Sequence, residues 1–146
     1  MTTIFKDQEP MTLEERHSLI NKNLVDLVYN AAYLEGVRTS FVEARAFILE
    51  GLEPVAPRPI GLKKLKNLKT GYLRLREEDM LEEPTDLNTL CELNRIVNGR
   101  GVSTEPGRVR SVVVTISGTD YVPEIPDPYT VNNTIRDIVE EKKTFI

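Results

Sequence analysis

The chain has 146 residues, a length typical of one compact domain. Its composition, with 40% hydrophobic and 29% charged residues and only 8 Gly and 9 Pro, excludes a disordered or collagen-like chain. Nineteen basic against 23 acidic residues give a net charge of -4, which argues against a globally basic nucleic-acid binder, and a single Cys with a single His excludes an internal disulfide and a Cys/His zinc site.

The chain is predicted to open with an N-terminal arm, 1–11, and a pair of helices, 12–51. Thr12-x-x-Glu15 and Ser40-x-x-Glu43 are capping boxes, in which a hydroxyl accepts the amide proton of the Glu and the carboxylate accepts that of the capping residue. An apolar stripe at three- and four-residue spacing follows the first box and persists to Gly36, a residue suited to a left-handed C-cap. Each capping box therefore predicts a helix start.

A proline-rich connector is predicted at 52–60, because proline lacks an amide donor and disfavours helix at the residue before it. Leucines near helical spacing then predict helices over 61–98. A run of basic residues precedes a run of acidic ones in this region, and such runs normally form solvated faces. Binding of nucleic acid or of an anionic surface is therefore only an alternative function, and nucleic acid is not the expected partner. The basic residues are Arg58, Lys63, Lys64, Lys66, Lys69, Arg74 and Arg76.

A β-hairpin is predicted at 107–124. Apolar and polar residues alternate over 111–117 as in a half-buried strand, Ser117-Gly118-Thr119-Asp120 has turn chemistry, and Tyr121-Val122 resumes the apolar pattern. A lone hairpin cannot form a sheet core, so we expect it to lie against helices and to leave an open edge.

Asp127-Pro128 is a typical helix start and predicts a last helix over 127–143. The predicted fold class is therefore mainly α, a helical bundle with one β-hairpin, in a single domain over 12–146. The sequence contains no phosphate loop, metal-ligand cluster or nucleophile–base pair of diagnostic spacing, so we predict no metal site and no catalytic residue. It also lacks the roughly 18 consecutive apolar residues that span a bilayer and an apolar leader, which predicts a cytoplasmic protein that does not enter a membrane.

Several short motifs occur in a characteristic order. They are Glu35-Gly36, Leu90-x-x-Leu93, Gly107-x-x-Arg110, Gly118 and Tyr121-x-Pro123. Their order and spacing, over roughly residues 25 to 140, are similar to the front half of Fic-family proteins. In that family a helical bundle carries a β-hairpin flap over an ATP site, and the usual activity is transfer of AMP to a hydroxyl side chain of a target protein.

The resemblance implies two groups of functional residues. Glu35 and Gly36 match the end of the family's inhibitory motif, Ser/Thr-x-x-x-Glu-Gly/Asn, whose Glu pairs with an Arg of the catalytic loop and blocks productive placement of the ATP γ-phosphate. Ala31 stands where Ser or Thr is expected, and Asn94 stands where the family commonly has His. The flap that docks the target corresponds to Val112, Val113, Val114, Thr115, Ile116, Gly118 and Tyr121.

The family's catalytic signature, His-Pro-Phe-x-x-Gly-Asn-Gly-Arg-x-x-Arg, has no counterpart in this sequence. Its His deprotonates the attacking hydroxyl, and its backbone amides and Arg stabilise the phosphates. We therefore expect a Fic-like chain that is inactive alone and that regulates or docks protein AMP transfer. ATP and magnesium enter only if a partner supplies the missing part. The alternative is a fragment or subunit of an active adenylyltransferase.

A bundle without the helices that bear this signature should expose an apolar groove. We expect the groove to be lined by Leu24, Leu27, Leu90 and the stripe at 131–139, and to be covered by a protein partner or by self-association. We also expect a target protein to bind the hairpin by strand addition.

Overall fold

In the part of the chain that the structure describes, helices are the main element, and a long loop precedes the last of them. The computed structural model describes residues 11–55, 59–82, 85–99 and 105–143. Within these residues the helices are α1 (Leu13–Leu34), α2 (Phe41–Glu50), α3 (Pro59–Arg74), α4 (Glu78–Glu82), α5 (Leu87–Val97) and α6 (Pro128–Lys143). The mainly helical fold class is confirmed. The predicted arm lies outside the described residues, apart from Met11.

Both predicted capping boxes are present. Thr12 Oγ1 accepts the amide proton of Glu15 at 3.3 Å, and Glu15 Oε2 accepts that of Thr12 at 2.7 Å. Ser40 and Glu43 make the same pair of bonds at 3.2 and 3.0 Å. Each box satisfies amide groups that the first turn of a helix leaves without partners. These bonds fix the starts of α1 and α2.

A left-handed glycine ends α1, as predicted. Gly36 has φ +75°, and the amides of Gly36 and Val37 donate to the carbonyls of Tyr33 at 3.0 Å and Ala32 at 2.9 Å. This is the Schellman arrangement, in which an apolar residue after the glycine packs back on the helix. Val37 is buried, and the turn directs the chain into α2.

The buried residues of the hydrophobic core come from α1, α2, α3 and the turn between α1 and α2, and Val97 of α5 packs against them. Tyr29 and Phe41 add an edge-to-face ring contact at 5.3 Å where α1 meets the start of α2. Among the described residues every buried apolar side chain comes from positions 24 to 68. They are Leu24, Val28, Ala32, Val37, Ala44, Phe47, Ile48, Leu65 and Leu68.

Close packing joins α5 to the opposite side of α3. A Cβ at Gly71 would lie 2.9 Å from Val97 Cγ2, so the glycine lets the two helices approach. Asn67 Nδ2 donates to the carbonyl of Val97 at 3.1 Å and satisfies the end of α5. Glycine costs about 1 kcal/mol of helix propensity relative to Ala. The close contact explains its presence in a helix.

The last two helices contribute no fully buried residue among those described. The apolar side chains of α5 and α6 are half-buried or exposed, and α6 contacts α5. Asp127 caps α6 by accepting the amide proton of Thr130 at 2.8 Å, and Asp86 caps α5 through Thr89 at the same distance.

The predicted β-hairpin is not supported, because the described residues contain no β-strand. Residues 108–127 form a long loop that turns at Ser117-Gly118, but no ladder of backbone hydrogen bonds joins its two arms. The returning arm explains this. Pro123 and Pro126 have no amide proton, so they cannot donate to a ladder, and the pairing that remains is too short to be stable.

The structure also changes which of the predicted residues can line an apolar groove. Leu24 belongs to the core with 7% exposure, so it lines no surface. Leu27, Leu90 and Ile138 are exposed as expected, but α1 packs on α2 and α3 whereas α6 packs on α5. Leu27 lies on α1, whereas Leu90 and Ile138 lie on α5 and α6, so the described contacts do not show one groove lined by all of them. None of the described helices has the length and apolar content required to cross a bilayer.

Candidate functional site

The first candidate is the stretch 111–117, which we call the docking segment. Its entry is fixed on α5, because Asn94 Oδ1 accepts the amide proton of Gly107 at 2.9 Å. Gly107 has φ +76°, and a Cβ there would lie 2.6 Å from Arg95 Cβ and 2.7 Å from the carbonyl oxygen of Cys91. Only glycine fits this approach. The start of the loop is therefore held against α5 at a defined point.

Arg110 holds the two arms of the loop together. Its Nη1 donates to the carbonyl of Val112 at 3.0 Å, and its Nη2 donates to the carbonyl of Glu124 on the returning arm. A guanidinium presents several donors in a fixed plane, so one side chain can bridge two carbonyls. Arg110 thus links the two arms at the base of the loop, whereas in a hairpin a ladder of backbone hydrogen bonds would link them.

The docking segment itself is exposed and open. Val113 is 61% exposed and Val114 38%, although valine normally favours burial. The carbonyl of Val112 accepts from Arg110, and that of Ile116 accepts from the amide of Thr119 at 3.4 Å. The described hydrogen bonds include none from an amide of residues 112–116. The segment therefore offers unpaired backbone groups beside apolar side chains.

The predicted residues Gly118 and Tyr121 shape the far end of the segment. Gly118 has φ +86° with open space around it, so the turn requires its backbone conformation and not its small size. Tyr121 donates its amide proton to Thr119 Oγ1 at 3.1 Å, and the residue is 64% exposed. The turn limits the docking segment to seven residues.

The second candidate is Glu35 at the end of α1. Its side chain is 54% exposed, and Lys64 Nζ of α3 donates at 3.1 Å both to its Oε2 and to its backbone carbonyl. A cation at a helix C-terminus is favourable, whereas a carboxylate there is disfavoured. Lys64 therefore compensates for placing Glu35 at this position. The carboxylate keeps an exposed side on which a second cation can bind.

The two candidates are not joined by any hydrogen bond or ion pair of the described residues. Glu35 and Gly36 lie where α1 meets α3, and the docking segment extends from α5. No described polar contact therefore couples Glu35 to the docking segment. Sequence patterns did not identify Lys64 or Asn94 as partners of these sites, because both contacts join residues that are distant along the chain.

Most of the basic residues considered for anion binding have partners within the fold. Lys64 pairs with Glu35, Lys69 lies over the ring of Phe47 at 5.5 Å, and Arg76 donates to Asn21 Oδ1 at 2.9 Å. Arg58 lies outside the described residues, and Lys63 and Lys66 are exposed. This arrangement does not favour the anion-binding alternative.

Arg74, the remaining basic residue of the run, joins three helices. Its guanidinium contacts Asp79 of α4 at 2.6 Å and Glu92 of α5 at 2.7 Å. The hydrogen bond from Arg74 holds the pKa of the Asp79 carboxyl below its usual range, and the two carboxylates raise the pKa of Arg74 above its already high value. Both carboxylates therefore have a structural role, because they hold α4 and α5 against the end of α3 through Arg74.

Two small cavities accompany α5. One of about 210 Å³ lies between the start of α5 and α6, with Ile135 and Val139 on its apolar side, and one of about 190 Å³ lies beside Arg74. Among the described residues no three His, Cys, Asp or Glu side chains are arranged to hold a metal ion. Cys91 is a half-buried free thiol. His17 has a buried Nε2 without a partner among the described atoms.

No protein-family model matches the chain, and no curated protein is significantly similar to it in sequence. The resemblance to the Fic family accordingly depends on the motif residues quoted above.

Proposed function

We propose that this chain is a Fic-like protein without catalytic activity of its own, which binds a protein partner and regulates or docks protein AMP transfer. The docking segment carries the proposal, because it is exposed, uncharged and open along its backbone while the chain on either side of it is fixed. An extended peptide binds such a segment by strand addition, in which main-chain hydrogen bonds supply affinity and alternate side chains supply specificity. Anchored ends reduce the ordering cost of binding.

Glu35 supplies the regulatory part of the proposal. Its exposed carboxylate has a lysine partner, and an arginine binds a carboxylate with two parallel hydrogen bonds that a lysine cannot make. An Arg in the catalytic loop of a partner enzyme would therefore be a strong competitor of Lys64 for Glu35. This exchange follows the inhibitory pairing that the resemblance implies.

The test mixes the purified chain with an active Fic-family adenylyltransferase and labelled ATP. We expect binding and reduced automodification of the enzyme, and we expect Glu35→Gln to weaken the inhibition about tenfold or more, because a charge-assisted pair is lost. Glu50→Gln is the matched control, since Glu50 is an exposed glutamate at the end of α2. Unchanged automodification together with no binding would overturn the proposal.

A second candidate function is that of a subunit of an active adenylyltransferase. The half-buried apolar faces of α5 and α6 favour it, because they are suited to receive further helices. The chain alone is incubated with labelled ATP and candidate target proteins. Label on any protein, or an ATP-dependent rise in Tm, would favour this candidate and contradict the non-catalytic one. A cytoplasmic location, where ATP is available, is part of both candidates.

A further inference from the structure

We infer that the docking segment also pairs with itself, joining two copies of this chain as antiparallel strands related by a twofold axis at Val114. The dimer is argued from the segment alone, whereas its regulatory consequence rests on the proposed function. A second copy would occupy the backbone groups that a target peptide needs, so dimerisation would compete with docking.

The first observation is the chemistry of the segment. Residues 112–116, Val-Val-Val-Thr-Ile, are all β-branched, and the seven residues of the segment contain no charge, no Pro and no Gly. Such residues favour strands, and an uncharged run of this kind pairs readily with another chain. Exposed edges in natural proteins normally carry Lys or Pro that prevent this pairing. The docking segment has neither.

The second observation is that one side of the segment is open. Arg110 bridges to Glu124, which places the returning arm along one side at the base of the loop. The amides of residues 112–116 donate to no described acceptor. Pairing along the other side would satisfy every second one of these donors, those that point to that edge, and would cover part of Val113 and Val114, which are exposed in the single chain.

The third observation is the register. Opposed residues of an antiparallel pair lie on the same face, so a twofold pair must be centred on one residue. Centring on Val114 opposes Ser111 to Ser117, Val112 to Ile116 and Val113 to Thr115. Every opposed pair then matches in size and polarity or joins two β-branched side chains, which is the favourable case in sheets. A centre on Val113 would oppose Arg110 to Ile116 in a ladder of full length.

Electrostatics are compatible with this arrangement. The residues of the ladder carry no charge to desolvate, and Arg110 lies outside it, where its guanidinium binds the carbonyls of Val112 and Glu124. Each copy has a net charge of -4, so long-range repulsion opposes association and is screened by salt. We therefore expect the dimer to tighten as ionic strength rises.

Sedimentation equilibrium of the purified chain tests the inference. We expect a concentration-dependent monomer–dimer equilibrium that Val114→Lys weakens by about tenfold or more, because two like charges would meet at the twofold axis. Val122→Lys and Ile138→Lys are controls, since both residues are about as exposed but lie outside the ladder. Circular dichroism checks that every variant keeps its helices.

A charge pair tests the register. Val113→Glu and Thr115→Lys each place a charge opposite an uncharged residue in both 113/115 pairs of the twofold dimer, so each should weaken the dimer. The double variant places opposite charges across the axis and should restore the dimer to within about threefold of the unmodified chain.

Several results would overturn the inference. They are a monomer at all concentrations, an open-ended polymer in place of a dimer, dissociation by Ile138→Lys, and failure of the double variant to restore pairing. The assay contains no enzyme. A chain that dimerises but does not bind the adenylyltransferase would therefore contradict only the proposed function, and a monomer that binds the enzyme would contradict only this inference.

Discussion

Gly107 and Gly118 have similar φ angles, +76° and +86°, in different surroundings, so replacing each with Ala separates the cost of backbone strain from the cost of steric overlap. Both have a left-handed φ, but a Cβ at Gly107 would meet Arg95 Cβ at 2.6 Å and the Cys91 carbonyl at 2.7 Å, whereas Gly118 has nothing within 4 Å. We expect Gly118→Ala to lower the free energy of unfolding by about 1 kcal/mol and Gly107→Ala by about 2–4 kcal/mol. Urea unfolding measures both. Equal losses would show that the loop does not dock on α5 through Gly107.

At the scale of the element, carboxylates at helix starts make the fold sensitive to acid. The amide of Thr130 holds the pKa of Asp127 below its usual value, the amide of Thr89 does the same for Asp86, and the amide of Thr12 does so for Glu15. A carboxyl whose pKa is lower in the folded state stabilises the fold above its unfolded pKa, and this contribution is lost as the pH falls through the folded pKa. Helix stability should therefore decline below about pH 4.

Asp127→Asn tests this, because Asn is an equally good N-cap that does not titrate. The variant should match the unmodified chain at neutral pH and lose less stability in acid, as measured by urea unfolding followed by circular dichroism at both pH values. Identical pH profiles would mean that the Asp127 cap contributes nothing to acid sensitivity. Asp137→Asn is the control, since Asp137 is an exposed acid inside α6 that caps no helix end.

The helices could be predicted because the interactions that start and end them are local. The absence of the predicted β-hairpin could not be foreseen in this way. Capping boxes at Thr12 and Ser40 and the left-handed Gly36 act within a few residues, so the sequence contains the whole interaction. Strand formation in 111–117 depends on a partner strand, and Pro123 and Pro126 prevent the returning arm from being one. The period-2 pattern therefore indicated a propensity to pair and not an existing pair. The same long-range problem hid the contacts of Lys64 with Glu35 and of Asn94 with Gly107.

For the whole molecule, burial divides the chain into a well-packed and a weakly packed part. All buried apolar side chains of the described residues lie in α1 to α3 or the turn between α1 and α2, whereas α5 and α6 have none. Local opening costs less free energy where fewer apolar contacts must be broken. Native-state hydrogen exchange should therefore show slow amides in α1 and α3 and faster ones in α6, measured at a dilution where the chain is monomeric. Amides of α6 as slow as those of α3 would contradict this division.

Two substitutions test the same difference in packing at single side chains. Leu65 is fully buried in the core, so Leu65→Ala should lower the free energy of unfolding by about 2–5 kcal/mol. Ile138 on α6 is 50% exposed, so Ile138→Ala should change it by less than about 1 kcal/mol in the isolated chain. If a partner covers α6, the second substitution should become costly only in the complex, where it would appear as weaker binding. The cost of removing Ile138 in each state therefore measures how far α6 depends on a partner for its packing.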